Sequence, residues 1–155
     1  MSDLSPKPEA SRRKRSEASF ADLFGIEADR ILEGRSILIV DDTEDGRRLL
    51  GRLLAREGAT VETLPGGLPT LSRFEQEDAR FDLVLMDVEM PDLGGRETVA
   101  RLRDVGVTTP IVALTAHQEQ GQIDRCRSAG FDDVSSKPID VDSFVAQCRR
   151  WIARG

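Results

Sequence analysis

Four stretches of the sequence carry a polar side chain directly after an apolar run. Ser36-Ile37-Leu38-Ile39-Val40 runs into Asp41-Asp42, and Leu83-Val84-Leu85-Met86 runs into Asp87. Pro110-Ile111-Val112-Ala113-Leu114 ends at Thr115, and a weaker run from Phe131 to Ser135 leads to Ser136-Lys137-Pro138. Short apolar runs bounded by turn residues are what strands buried on both faces look like. If those strands are parallel, their carboxyl ends share one edge, where open α/β sheets bind ligands. Three carboxylates, a hydroxyl and an ammonium would then meet in one shallow pocket. Carboxylates so close repel one another, and a divalent cation relieves the repulsion. Mg²⁺ fits, because it takes oxygen ligands and keeps several waters. Cation and ammonium would offset the charge of a phosphoryl group while a carboxylate attacks phosphorus. Singly, each residue has an ordinary use: Asp42 or Asp87 as a cap, Thr115 as a strand-end hydroxyl, Lys137 as a surface charge. Their convergence is what points to chemistry.

The elements that must position these residues alternate. After the first strand, residues 44–57 carry Leu49, Leu50, Leu53 and Leu54 on one predicted helical face, and Gly58 stops the helix. Residues 59–63 form a second strand. Pro65-Gly66-Gly67 is a turn, and Pro69 suits the first turn of a helix through Leu71 and Phe74 to Asp78. The third strand spans 81–86, and residues 95–104 form a short helix with Val99 and Leu102 inward. The fourth strand precedes a polar helix over 117–129, with Ile123 and Cys126 inward and Gly130 closing it. A fifth strand over 131–135 precedes a last helix capped by Asp140, with Val141, Phe144, Val145, Cys148 and Ile152 on one face. Strands alternating with helices imply parallel pairing and right-handed crossovers.

The 155-residue chain has room for one such domain and a tail. Residues 1–34 read as a disordered or linker segment, rich in Ser, Pro and charge, with a candidate helix at about 20–32; residues 35–155 read as the domain. Arg12-Arg13-Lys14-Arg15 reads as a solvated charge run. A net charge of −6 argues against a general nucleic-acid binder. No apolar run is long enough to span a bilayer, and the N-terminus lacks a signal-peptide core, so a cytoplasmic location is expected. Cys126 and Cys148 fit neither a CxxC pair nor a disulfide framework and read as core filler.

The motifs together resemble the response-regulator receiver domain of two-component signalling. The resemblance is carried by Ile39-Val40-Asp41-Asp42, Leu85-Met86-Asp87-Val88-Glu89-Met90-Pro91, Ala113-Leu114-Thr115-Ala116 and Ser136-Lys137-Pro138-Ile139. It covers about residues 35–152, and the stretch from Thr115 to Lys137 resembles receivers of hybrid sensor histidine kinases. The family's fold is flavodoxin-like, an α/β (βα)₅ unit with a five-stranded parallel sheet in order 2-1-3-4-5 and helices on both faces. By this resemblance Asp87 is the phosphoacceptor, taking a phosphoryl group from a phosphohistidine. Asp42 and Asp87 match direct ligands of Mg²⁺, and Asp41 the carboxylate that acts through metal-bound water. The backbone carbonyl of Glu89 matches the remaining protein ligand. Thr115 matches the hydroxyl that reaches the phosphoryl oxygens, and Ala116 the small residue that gives phosphate access. Lys137 matches the lysine that pairs with the acyl phosphate, with a cis bond to Pro138. The implied partners are a histidine kinase or a histidine phosphotransfer protein, with output by protein contact rather than direct DNA binding. A dimer could form through the N-terminal helix or through the fourth and last helices.

One departure concerns signalling. The family usually carries an aromatic residue three positions before the lysine; here that position is Val134, with Phe131 off register. Other functions fit less well. A histidine kinase or phosphotransfer protein needs a histidine on a helical bundle, whereas His117, the single histidine, is expected to flank the pocket, as is Glu89. A Mg²⁺-dependent phosphatase needs an acid/base residue and a substrate cap that the sequence does not display. The alternative of a phosphorylation-independent binding module leaves the full set of Asp41, Asp42, Asp87, Thr115 and Lys137 without a role. The expected activity is self-catalysed gain and loss of a phosphoryl group, not enzymatic turnover. A stand-alone receiver and the terminal receiver of a longer kinase both fit.

Overall fold

The computed structural model describes residues 30–154. The candidate helix at about 20–32 and the basic run at 12–15 lie almost wholly outside the described residues. Five strands alternate with five helices: β1 (Ser36–Val40), α1 (Glu44–Arg56), β2 (Thr60–Leu64), α2 (Gly67–Phe74), β3 (Leu83–Asp87), α3 (Gly95–Asp104), β4 (Ile111–Thr115), α4 (Gln120–Ala129), β5 (Asp133–Ser136) and α5 (Val141–Arg154). All neighbouring strands pair parallel, in the order β2-β1-β3-β4-β5. The fold is the flavodoxin-like one expected.

Because side chains alternate along a strand, each central strand feeds two cores. Ile37, Ile39, Leu83, Leu85, Val112 and Leu114 face α1 and α5, packing with Leu50, Leu53, Leu54, Phe144 and Trp151. Leu38, Val40, Val84, Met86, Ile111 and Ala113 face α2–α4, packing with Val99, Leu102, Cys126 and Phe131. Leu32, ahead of β1, is fully buried in the first core, and its N–H donates to the Glu57 carbonyl. Both edge strands, β2 and β5, have only half-buried or exposed residues.

Several local expectations need correction. Leu49 is 66% exposed, because Leu50, Leu53 and Leu54 already fill the face of α1 toward the sheet. Val141 lies outside the buried face of α5, whereas Trp151 belongs to it and donates its indole N–H to Asp133 (2.8 Å). On α4 the buried partner of Cys126 is Gln122, while Ile123 is half-buried. Gln122 keeps its polar oxygen satisfied by accepting from Arg96 and Arg125. α4 begins at Gln120 rather than His117, since the Thr115 hydroxyl takes the His117 N–H into a turn (3.0 Å). β5 begins at Asp133, and β3 at Leu83. Cys126 and Cys148 are free and buried, and burial pushes the Cys148 thiol up to about 12, so it stays protonated and inert.

Candidate functional site

The strand order puts a topological switch between β1 and β3, because the chain leaves β1 first toward β2 and then crosses to β3. The crevice at their carboxyl ends is where such sheets bind ligands. Register decides what lies there. Val40 pairs with Met86, Met86 with Ala113, and Thr115 with Ser136, so each chain leaves the sheet one or two residues later at the same edge. Lys137 is fixed to that edge by its own N–H, which donates to the Thr115 carbonyl (2.9 Å). The Lys137–Pro138 bond is cis.

Carboxylate oxygens of Asp41, Asp42 and Asp87 all lie within 4.8 Å of one another. Asp41 and Asp87 are buried, and Asp42 is exposed. Asp41 is held by the N–H and hydroxyl of Thr43, both 2.9 Å from its Oδ1, and its carbonyl accepts from the Arg47 guanidinium (2.8 Å). Thr43 also caps α1, its hydroxyl accepting from the Gly46 N–H, so Asp42 is not used as the cap. Asp42 has no hydrogen-bond partner among the described residues. The Lys137 ammonium lies 3.3 Å from Asp87 and 3.7 Å from Asp41. The Glu89 N–H donates to Asp87 (3.3 Å). Burial pushes the Asp87 carboxyl up; Lys137 and the Glu89 N–H pull it down, Asp41 pushes it up again, and the net shift is upward.

Two loops frame the pocket. The β3–α3 loop is closed by the Gly95 N–H on the Val88 carbonyl (2.7 Å). A Cβ at Gly95 would stand 2.5 Å from the Asp87 carbonyl oxygen and 2.9 Å from Val88 Cα, so only glycine lets the chain turn back this tightly. The β4–α4 loop carries Thr115, buried, and Ala116 and His117, exposed. His117 Nε2 meets the Glu89 carboxylate at 3.3 Å, bridging the two loops at the rim.

The edge therefore brings together Asp41, Asp42, Asp87, Thr115 and Lys137. Sequence reasoning missed three supporting residues: Thr43 and Arg47 on Asp41, and Asp92 in the β3–α3 loop. Thr43 had a readable signal, a Thr three residues before a helical N–H. Asp92 had none, because its partners lie 24 and 25 residues away.

The model of the response regulator receiver domain matches residues 37–149. The chain belongs to the receiver domain family. Among its relatives is the two-component response regulator ORR41 of Oryza sativa subsp. japonica, 38% identical over 110 residues, covering 70% of this chain and 87% of that protein. The sensor histidine kinase RcsC of Salmonella typhi is 36% identical over 108 residues, covering 70% of this chain but 11% of the kinase. The transcription factor SKN7 of Chaetomium thermophilum is 32% identical over 117 residues, covering 76% of this chain and 15% of the factor. This receiver thus spans nearly all of some relatives and a small part of others. Among solved structures, the chemotaxis response regulator CheY4 of Vibrio cholerae superposes with a TM-score of 0.69 at 28% identity, covering 76% of this chain and 98% of that one. A response regulator from Clostridium difficile shares the fold, with a TM-score of 0.72 at 23% identity, covering 77% and 97%. No helix among the described residues is long and apolar enough to cross a membrane.

Proposed function

We propose that this receiver takes a phosphoryl group onto Asp87 from a phosphohistidine on a histidine kinase or histidine phosphotransfer protein. The carrying observation is the buried carboxylate of Asp87, with two aspartates within 4.8 Å and an ammonium at 3.3 Å. The donor set is all oxygen, and Asp42 is exposed and unpartnered among the described residues, which suits a hard divalent cation. Asp41, Asp42, Asp87 and the Glu89 carbonyl would hold Mg²⁺, with Asp41 acting through water. When bound, the cation offsets charge on the transferring group.

The chain's own residues supply the rest. An Asp87 oxygen attacks phosphorus as the P–N bond to imidazole breaks, giving an acyl phosphate and a free histidine. Lys137 then pairs with the phosphoryl oxygens in place of the neutralised carboxylate. Thr115 accepts from the His117 N–H, which leaves its own O–H free to donate to a phosphoryl oxygen. Ala116, with no bulk beyond Cβ, leaves the entrance open. Water later hydrolyses the acyl phosphate in the same pocket, so the chain is a self-acting phosphoacceptor. It works in the cytoplasm, as a separate regulator or as part of a hybrid kinase, and signals by protein contact.

Incubation with Mg²⁺ and acetyl phosphate tests this reading. A hydroxylamine-labile label at Asp87, absent in Asp87→Asn, is expected. Equal labelling of that variant would overturn the assignment.

A further inference from the structure

The β3–α3 loop is tied at a second point, away from the acidic cluster. Asp92 accepts the Gly67 N–H at Oδ1 (3.3 Å) and the Leu68 N–H at Oδ2 (3.0 Å), the first backbone donors of α2. α2 has no cap of its own, since its N-cap residue is Gly66. α3 has none either, since Gly94 stands at its N-cap. The one carboxylate in this loop that could cap its own helix serves the other helix instead. Close approach requires the two glycines. A Cβ on Gly66 would lie 2.5 Å from the Asp92 carboxylate, and one on Gly67 would strike the Thr98 hydroxyl and sit 2.8 Å from the Leu93 carbonyl. Burial alone would push the Asp92 carboxyl up, but the N–H groups of Leu68, Leu93, Gly67 and Asp92 itself outweigh that and hold it low.

We propose that Asp92 is a positioning residue whose carboxylate straps the loop carrying Asp87 and Glu89 to the first turn of α2, holding the ligand edge ready for a divalent cation. The inference rests on the reading of Asp87 as phosphoacceptor. Asp92 lies five positions after Asp87, and the loop's far end is already pinned, by Gly95 N–H to Val88 and by the Thr98 hydroxyl on the Gly94 carbonyl (2.9 Å). Along the middle of the loop, Glu89 to Asp92, the other anchors are Met90, buried in the core on the α2–α4 face, and Glu89, through its N–H on Asp87 and its rim contact with His117; neither ties the loop to the first turn of α2 by a hydrogen bond. A cap that merely stabilised α2 would raise stability alone. A strap must also link the two sites reciprocally: if it favours cation binding, cation binding must favour it by the same free energy.

The test compares wild type, Asp92→Ala and Asp92→Asn, with Asp87→Asn as control. Mg²⁺ affinity is measured by calorimetry and amide exchange by NMR. Asp92→Ala is expected to weaken Mg²⁺ binding about tenfold, the low end for removal of an outer partner of a ligand. Asp92→Asn, which keeps one acceptor oxygen, loses about threefold. In wild type, Mg²⁺ slows exchange of the Gly67 and Leu68 amides more than that of α5 amides; in Asp92→Ala it does not. Wild-type Mg²⁺ affinity in either folded variant, or Gly67 and Leu68 amides indifferent to Mg²⁺ in wild type, overturns the strap. If Asp92→Ala does not fold, Asp92→Asn and the wild-type exchange experiment decide alone. Wild type that binds no Mg²⁺ and takes no label overturns the phosphoacceptor reading as well.

Discussion

Replacing Asp87, the proposed acceptor, should make the metal-free protein more stable. In Asp87→Asn the side chain keeps its shape and loses one negative charge. The Lys137 ammonium, at 3.3 Å, attracts that charge by about 5 kcal/mol at an effective dielectric near 20. Asp41, with a ligand oxygen within 4.8 Å, repels it by at least about 3.5 kcal/mol on the same scale. Asp42, also within 4.8 Å but exposed, adds at least about 0.9 kcal/mol through water. These contributions nearly cancel, so desolvation decides. Asp87 is only 7% exposed, and its carboxyl is raised chiefly by burial. The neutral side chain is therefore preferred, by about 1–2 kcal/mol, the low end for removing a buried charge, because Lys137 keeps Asp41 as a partner. For a domain of this size that raises the melting temperature by roughly 4–8 °C. The sign follows from linkage. Above the unfolded value of 3.8, folded Asp87 retains its proton longer than the unfolded chain does, so wild-type stability falls as pH rises through the folded value. The advantage of the variant is absent below that window and complete above it. Urea denaturation in EDTA, followed by fluorescence of Trp151, the single tryptophan, reads it directly. Adding Mg²⁺ to a hundred times its dissociation constant should return about 2.7 kcal/mol to wild type and less to the variant, which lacks a ligand. A variant less stable than wild type at pH 7 in EDTA, or an advantage equally large at pH 3, would refute the reasoning.

Three further outcomes are expected. Gly95→Ala sets a methyl against two backbone atoms of the acceptor loop and should destabilise by about 1–3 kcal/mol in denaturant melts, with slower labelling of Asp87. Trp151→Phe removes the indole N–H from Asp133, whose carboxyl is pushed up by burial but held low overall by Trp151, the Val134 N–H, Arg127 and Arg154. It should cost about 1–2 kcal/mol above pH 5, and the loss should shrink as acid protonates Asp133 in wild type too; a deficit unchanged down to pH 2 would contradict the assignment. Beryllofluoride with Mg²⁺ should shift NMR resonances of Ala116–Glu119 more than the Val134 methyls; larger changes at Val134 would mean that β5 responds without an aromatic ring.

The sheet was legible because central strands buried on both faces must be almost wholly apolar, and Ile37–Val40, Leu83–Met86 and Ile111–Leu114 are. The acidic cluster was legible for the same reason, since a charged residue directly after such a run must lie at an edge. Strand order was not in the pattern of any segment; it came from the likeness of the whole motif set. Errors fell where tertiary contacts override local periodicity. Leu49 looks like Leu50 in a helical sequence, but the sheet reaches only one side of α1. The α4 boundary moved because one hydroxyl, that of Thr115, captures the His117 N–H. Trp151 was overlooked because its polar partner, Asp133, belongs to a strand 18 residues earlier. Asp92 was invisible because a cap donated from another loop leaves no local signature.

The sheet also partitions the molecule. The two cores lie on opposite faces, and the acidic edge belongs to neither. Changes distant by more than about 7–10 Å add independently. Beyond the first turns of α1 and α2, which touch the acidic edge through Thr43, Arg47 and Asp92, the solvent faces of the helices can therefore diversify with little cost to the aspartates. A duplicated gene for such a domain could acquire a new partner surface while keeping its chemistry intact. That separation of address from reaction is what would let many sister pathways share one acidic centre without crosstalk.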